Sequence, residues 1–308
     1  MINSVQTNCV VGQLWHSPKV GDKGNLMKAF LNRLVKFSLI TCMLFAVNTA
    51  HAQITYEDAQ TASGNDISTL AVTSPTGVDV GDLLVGFIAT KTNNGGNNTS
   101  ISAPAGWTKV FEQARGDHVD LAAFYKIAAL ADTVATSFTF SMDDDGEVIG
   151  TVALYEGADP LAPFVTHATN NAKNSNAVTP SVNVGINEGV LVLRVAAHKD
   201  NKNVQTAPAS HTKRADNHFN DKVSLVLADR ILPTTGNTGT ATFSGAENKD
   251  YMAATLAFKP TQSPDVTVAL SRISVPASVT LPGSASYRIV VTNTDTAKNL
   301  SATAVTVA

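Results

Sequence analysis

From Gln53 onward the chain is dominated by alternation of apolar and polar residues. Val119, Leu121, Ala123, Tyr125 and Ile127 fall on one face of an extended segment, with Asp120 and Lys126 on the other. Leu191, Leu193, Val195 and Ala197 likewise face one way, and Arg194 and His198 the other. A period of two is the signature of a β-strand with one face in a core. Residues 81–91 are apolar on both faces (Leu83, Val85 and Phe87; Leu84 and Ile88), as in a strand covered on both sides. Asn, Gly and Pro punctuate these runs, and no stretch after Gln53 has the spacing of an amphipathic helix. Many short strands at about ten-residue spacing predict a sandwich rather than an alternating α/β fold.

The strands come in two sets. GDLLVGFIATK at 81–91 matches GVLVLRVAAHK at 189–199, and APAGWTK at 103–109 matches APASHTK at 207–213. At the same spacing Leu121 falls on Leu225, Lys126 on Arg230 and Ile127 on Ile231; Thr139-Phe140-Ser141 then matches Thr242-Phe243-Ser244. The period is too long for a solenoid array, whose repeats run to about 50 residues at most. Two halves sharing one core are expected instead, at about 73–159 and 178–260. Together they predict an all-β, jelly-roll-like two-sheet β-sandwich over 53–260 built from two homologous halves. The polar stretch 159–187 is expected to be the crossover between them, and 261–264 a linker.

The ends of the chain change the picture. From Met27 the residues read as a secretory signal: Lys28, Arg33 and Lys36, an apolar run at 37–47, then Ala50-His51-Ala52. Cleavage is expected between Ala52 and Gln53. The run is shorter than the roughly 20 residues a spanning helix needs, and no later segment is long and apolar enough. Residues 1–26 lack any pattern of their own and read as an over-extended start, leaving 27–52 as the signal peptide. Leu39-Ile40-Thr41-Cys42 loosely resembles a lipobox, but Thr41 is large for that position and the apolar run continues past Cys42.

Cys9 and Cys42 both precede the expected cut, so the processed chain has no cysteine to crosslink and must rely on burial. It carries 17 Lys plus Arg against 24 Asp plus Glu. That balance argues against nucleic acid as a partner and suits an exported protein of the periplasm, outer surface or medium.

The tail 265–308, DVTVALSRISVPASVTLPGSASYRIVVTNTDT followed by ATAVTVA, resembles the start of the conserved-repeat, immunoglobulin-like family of bacterial surface proteins known as domain of unknown function eleven. The resemblance implies a stalk or spacer on an envelope or adhesin-like protein, here only a partial immunoglobulin-like domain. The region 53–260 is similar to uncharacterised modules of bacterial and phage surface proteins carrying GDLLV, APAGWT and FYK, a likeness that implies no activity.

Few residues suggest chemistry. There is no G-x-S-x-G, H-E-x-x-H, P-loop or dinucleotide fingerprint. His198, His211 and His218 are close in sequence but lack metal-ligand spacing, and read as solvated or loop side chains. The run 143–147 (DDDGE) offers Asp143, Asp145 and Glu147 as calcium ligands. It fails the EF-hand pattern, and an Asp-Gly hairpin turn between two strands accounts for it. Trp107 is a candidate sugar platform, though its setting after Pro104 and Gly106 favours packing on the core. Residues 93–98 (NNGGNN) read as a loop tip. The expectation is therefore a non-catalytic structural or adhesion-type module without cofactor, with a glycan or an envelope protein as partner. A carbohydrate-binding sandwich is the alternative, and an exported hydrolase with an unrecognised site the remote one.

Overall fold

The computed structural model describes residues 53–92, 100–115 and 118–261, and in addition the backbone of three strands near the chain ends. Two units are distinct: 51–262, and 1–50 with 263–308. In the second, β1 (Val5–Cys9) and two late strands form an antiparallel sheet. The signal segment up to Ala52, the loop tip at 93–98 and the ATAVTVA segment lie outside the described residues.

In the first unit the chain builds one sheet and then the other. β2 (Thr55–Thr73), β3 (Leu83–Thr92), β4 (Ile101–Ser102), β5 (Thr108–Arg115), β6 (Val119–Ile127) and β7 (Ser137–Glu156) come first. β8 (Phe164–Asn174), β9 (Ala177–Thr179), β10 (Val190–Lys199), β11 (Thr212–Phe219), β12 (Val223–Leu232), β13 (Ala241–Phe243) and β14 (Lys249–Phe258) follow. β15 (Val266–Ser274) and β16 (Ser286–Asn293) belong to the other unit, where β16 pairs with both β15 and β1. The stretch expected to lie upstream of the true start thus supplies an edge strand there. No helix among the described residues is long and apolar enough to cross a membrane.

The sheet orders are β2-β7-β3-β6-β5, with β4 on β7, and β8-β14-β10-β12-β11. They are the same order, and the registers agree. Leu83 sits between Ile127 and Tyr155, Leu191 between Ile231 and Phe258. A bulge interrupts β5 at Val110 and β11 at Arg214. Each half completes its own sheet, so the chain passes between the sheets once, near 157–163. A jelly roll instead changes sheet strand by strand. The predicted all-β two-sheet sandwich is present, with this half-by-half wiring.

Two finer expectations are corrected. Residues 159–187 are no mere crossover, since they contain β8 and β9. β8 is an edge strand with no fully buried residue, so its polar composition resembles a loop. Residues 143–147 are not a hairpin turn. They lie inside the single strand β7, at the point where its pairing with β2 shifts register. Short apolar runs on either side of an acidic, solvent-facing bend look like two strands.

The sheets meet across one core. Leu83, Val85 and Phe87 from β3 face Leu191, Leu193 and Val195 from β10, all essentially inaccessible. Beyond β7's bend the chain folds over the outer face of the first sheet. There Phe138, Phe140 and Met142 cover Leu84, Ile88 and Phe124. β9, β13 and adjoining loops cover the second sheet, with Phe243 buried as Phe140 is. Residues 83–90 are therefore covered on both faces, as their composition predicts.

Matching outer-face positions are filled differently. In the first half Gly86 leaves space for the ring of Trp107; a Cβ there would meet Phe140 at 3.0 Å and Trp107 at 3.3 Å. In the second, Arg194 takes the place of Gly86 and His211 that of Trp107. Arg194 is inaccessible, and none of its described hydrogen bonds goes to a carboxylate. It donates to the carbonyls of Pro180, Thr238 and Gly239 and to the hydroxyls of Thr179 and Thr255. A buried cation is thus held by carbonyl and hydroxyl dipoles, stapling the loops over the sheet.

Candidate functional site

One end of the sandwich is stitched between sheets by ion pairs: Lys91 to Asp200 at 2.8 Å and Arg115 to Asp250 at 2.7 Å. The other end opens into a cavity of about 330 Å³. Its lining includes Tyr56, Tyr155, Ser210, Arg214, Asp229 and Arg230, together with Gln53, the expected first residue of the processed chain. Alternation along β7 and β12 turns Tyr155 and Asp229 inward, where each continues a row of core residues. Their side chains meet across the gap, the Tyr155 hydroxyl donating to Asp229 Oδ2 at 3.1 Å. The β11 bulge brings in Arg214, whose Nε donates to the same oxygen at 2.8 Å. Its guanidinium lies 4.0 Å from the centre of the Tyr56 ring, which stands edge-on to Tyr155.

Burial and the Asp229 carboxylate hold the Tyr155 hydroxyl far above its ordinary titration range. It remains a donor at any physiological pH. Arg230 donates to the Thr238 carbonyl, while its Nε is buried and unpartnered. Ser210, at the rim, has a φ of +60°. The matching turn in the first half has Gly106, at +87°. A left-handed conformation costs a residue with a Cβ about 1 kcal/mol, and such strain concentrates at functional sites.

At the matching place in the other half Lys126, which corresponds to Arg230, is paired with Asp132 at 2.7 Å, but the positions of Asp229 and Arg214 carry no charge. By register, Tyr125 corresponds to Asp229, Val110 to Arg214, Phe258 to Tyr155 and Phe164 to Tyr56. Tyr125 stacks on Phe164 at 5.8 Å, and both meet Phe258 edge-on. One copy is filled by rings; the other has a carboxylate, two guanidiniums, hydroxyls and a cavity.

The residues singled out from sequence lie elsewhere. Trp107 packs edge-on against Phe138 and Phe140 at 5.3 and 5.6 Å, so its ring belongs to the first outer core. Asp143 and Asp145 are exposed on the bend of β7, but Glu147 is buried. Asp143 already accepts from the Ser100 backbone N–H at 2.7 Å. No group of three or more His, Cys, Asp or Glu among the described residues is arranged to hold a metal ion. Thermal melts in calcium and in chelator are expected to coincide; a calcium-dependent rise would restore the acidic run as a site.

The histidine expectation needs a correction. His198 is inaccessible rather than solvated, because β13 and the loops beside it cover the outer face of β10. His218 instead sits 3.3 Å from Asp216, partly shielded.

No family model matches the chain, and no curated protein and no solved structure matches it either.

Proposed function

We propose that the chain is an exported, non-catalytic module, a sandwich made by duplication of a half, which acts as a structural or adhesion-type head at or beyond the cell surface. A tail of the immunoglobulin-like stalk type would carry it. The observation that most supports a binding rather than a catalytic role is the state of Asp229. Its Oδ2 accepts from both Tyr155 and Arg214, and the phenol it holds does not ionise near neutral pH. These groups form a fixed donor–acceptor frame, not an acid–base pair poised to exchange protons. The signal segment supports export.

Fractionation with intact-mass measurement tests this reading. A product of mass 53–308 is expected in the periplasm or medium, or a larger surface-bound product if the module heads a longer chain. A cytoplasmic product retaining 27–52 would reject export. The carbohydrate-binding alternative is favoured by one feature, the polar cavity.

A further inference from the structure

We propose that the cavity framed by Tyr56, Tyr155, Arg214 and Asp229 binds an acidic sugar, its carboxylate on the Arg230 side and its hydroxyls on Asp229 and Ser210; this deepens the binding reading above and rests on it. Three observations carry the assignment.

The first is the contrast between matching positions. A sandwich end can be closed with rings, as Tyr125, Phe164 and Phe258 close the other copy. Placing Asp229 and Arg214 at the corresponding positions adds nothing to that closure and brings desolvation costs. The second is the unspent bonding capacity. Arg230 lines the cavity, and its described hydrogen bond uses only Nη2, on the Thr238 carbonyl. The described hydrogen bonds of Arg214 use Nε alone, leaving the outer edge of its guanidinium to donate, with its plane set by the Tyr56 ring. The third is Ser210, which keeps a hydroxyl at the cavity rim in a conformation that the other half gives to glycine.

The mixture of groups narrows the ligand. Two guanidiniums and one carboxylate leave one excess positive charge in a chain whose processed form is net negative. A guanidinium pairs well with a planar carboxylate. Asp229 would oppose a dense anion such as phosphate but accepts from sugar hydroxyls. A hexuronate carries both kinds of group and is of a size that a cavity of about 330 Å³ admits.

Titration calorimetry of the purified protein with D-galacturonate and D-glucuronate tests this, with D-galactose and acetate as controls. At least one sugar acid is expected to bind about tenfold or more tightly than either control, one charge-assisted contact being worth about that factor. Arg230→Gln should abolish the preference for the acid. Ser210→Gly should weaken binding about threefold while leaving the protein folded, as the left-handed turn suits glycine. Tyr125→Phe, at the matching position, should change nothing. Equal affinity for acid and neutral sugar, binding no better than acetate, an unaltered preference in Arg230→Gln, or no binding at millimolar concentration would each overturn the assignment. None of these results bears on export, which the mass and fractionation experiment decides separately.

Discussion

Replacing Arg194 with methionine is expected to cost about 3 kcal/mol or more in unfolding free energy, or roughly 10 °C in melting temperature for a domain of this size. Its guanidinium supplies the hydrogen bonds of three backbone carbonyls and two hydroxyls beneath the second cap. Without it each of those acceptors loses its charged donor, and the three carbonyls keep only a second bond, from Thr255, Arg230 and the Thr238 hydroxyl. Hydrogen bonds to a charged group are the stronger ones, and five are lost together. Burial and the neighbouring Arg230 charge lower the group's pKa to about 10, so it remains a cation at neutral pH. Arg194→Lys is expected to recover little, because a single ammonium cannot serve acceptors on both sides of the fork. The other half uses a different solution, a glycine beneath a tryptophan. Combining Arg194→Gly with His211→Trp should therefore recover part of the loss of Arg194→Gly, read as a coupling energy in a double-mutant cycle. Denaturant titration followed by circular dichroism and by Trp107 fluorescence measures these effects. Trp107 reports on the first half, so coincident midpoints would show that loosening the second cap unfolds both sheets. An unchanged midpoint in Arg194→Met would mean that the staple contributes nothing.

The fold was legible wherever one face of a strand meets a core. Alternation identifies β6 and β10, and the apolar run of 81–91 predicts a strand covered on both sides. It failed where solvent rather than packing selects the residues. The edge strand β8 has no fully buried residue, so nothing in its composition separates it from a loop. The acidic bend of β7 resembles a turn because its outward side chains need only be polar. The cavity was missed for another reason. Tyr56, Tyr155, Arg214 and Asp229 come from four strands of two sheets, and none belongs to a local motif. A signal did exist in the repeat itself. The spacing that aligns Leu121 with Leu225 also aligns Tyr125 with Asp229 and Val110 with Arg214, putting charge in one copy where the other is apolar. Where two halves share one strand order, the positions at which they disagree in polarity are the first place to search for a site.

The same comparison identifies the weakest point of the second half in acid. His198 corresponds to Thr90 and lies beneath the cap, tilted against Tyr251 at 5.5 Å, with neither ring nitrogen hydrogen-bonded. Burial lowers its pKa from 6.5 to about 4. The unfolded chain therefore takes up this proton at a higher pH than the folded one, and acid favours unfolding. The contribution is constant above about pH 6.5. It falls as pH drops from 6.5 towards 4, by about 3 kcal/mol in all at about 1.4 kcal/mol per unit. His167 and His211, also lowered by burial, add to the same slope. His198→Leu isolates the part due to this residue. At pH 7 the variant should be as stable as the parent or more so, by about 1 kcal/mol, because two unpaired polar atoms leave the interior. Between pH 6.5 and 4 its stability should fall less steeply than the parent's, the two curves separating by about 3 kcal/mol at the acid end. Urea midpoints measured every half unit across that range would show the divergence. Parallel curves would mean that the His198 ring reaches solvent or a proton acceptor in the folded protein, and that the cap over the second sheet opens in acid before the sandwich unfolds.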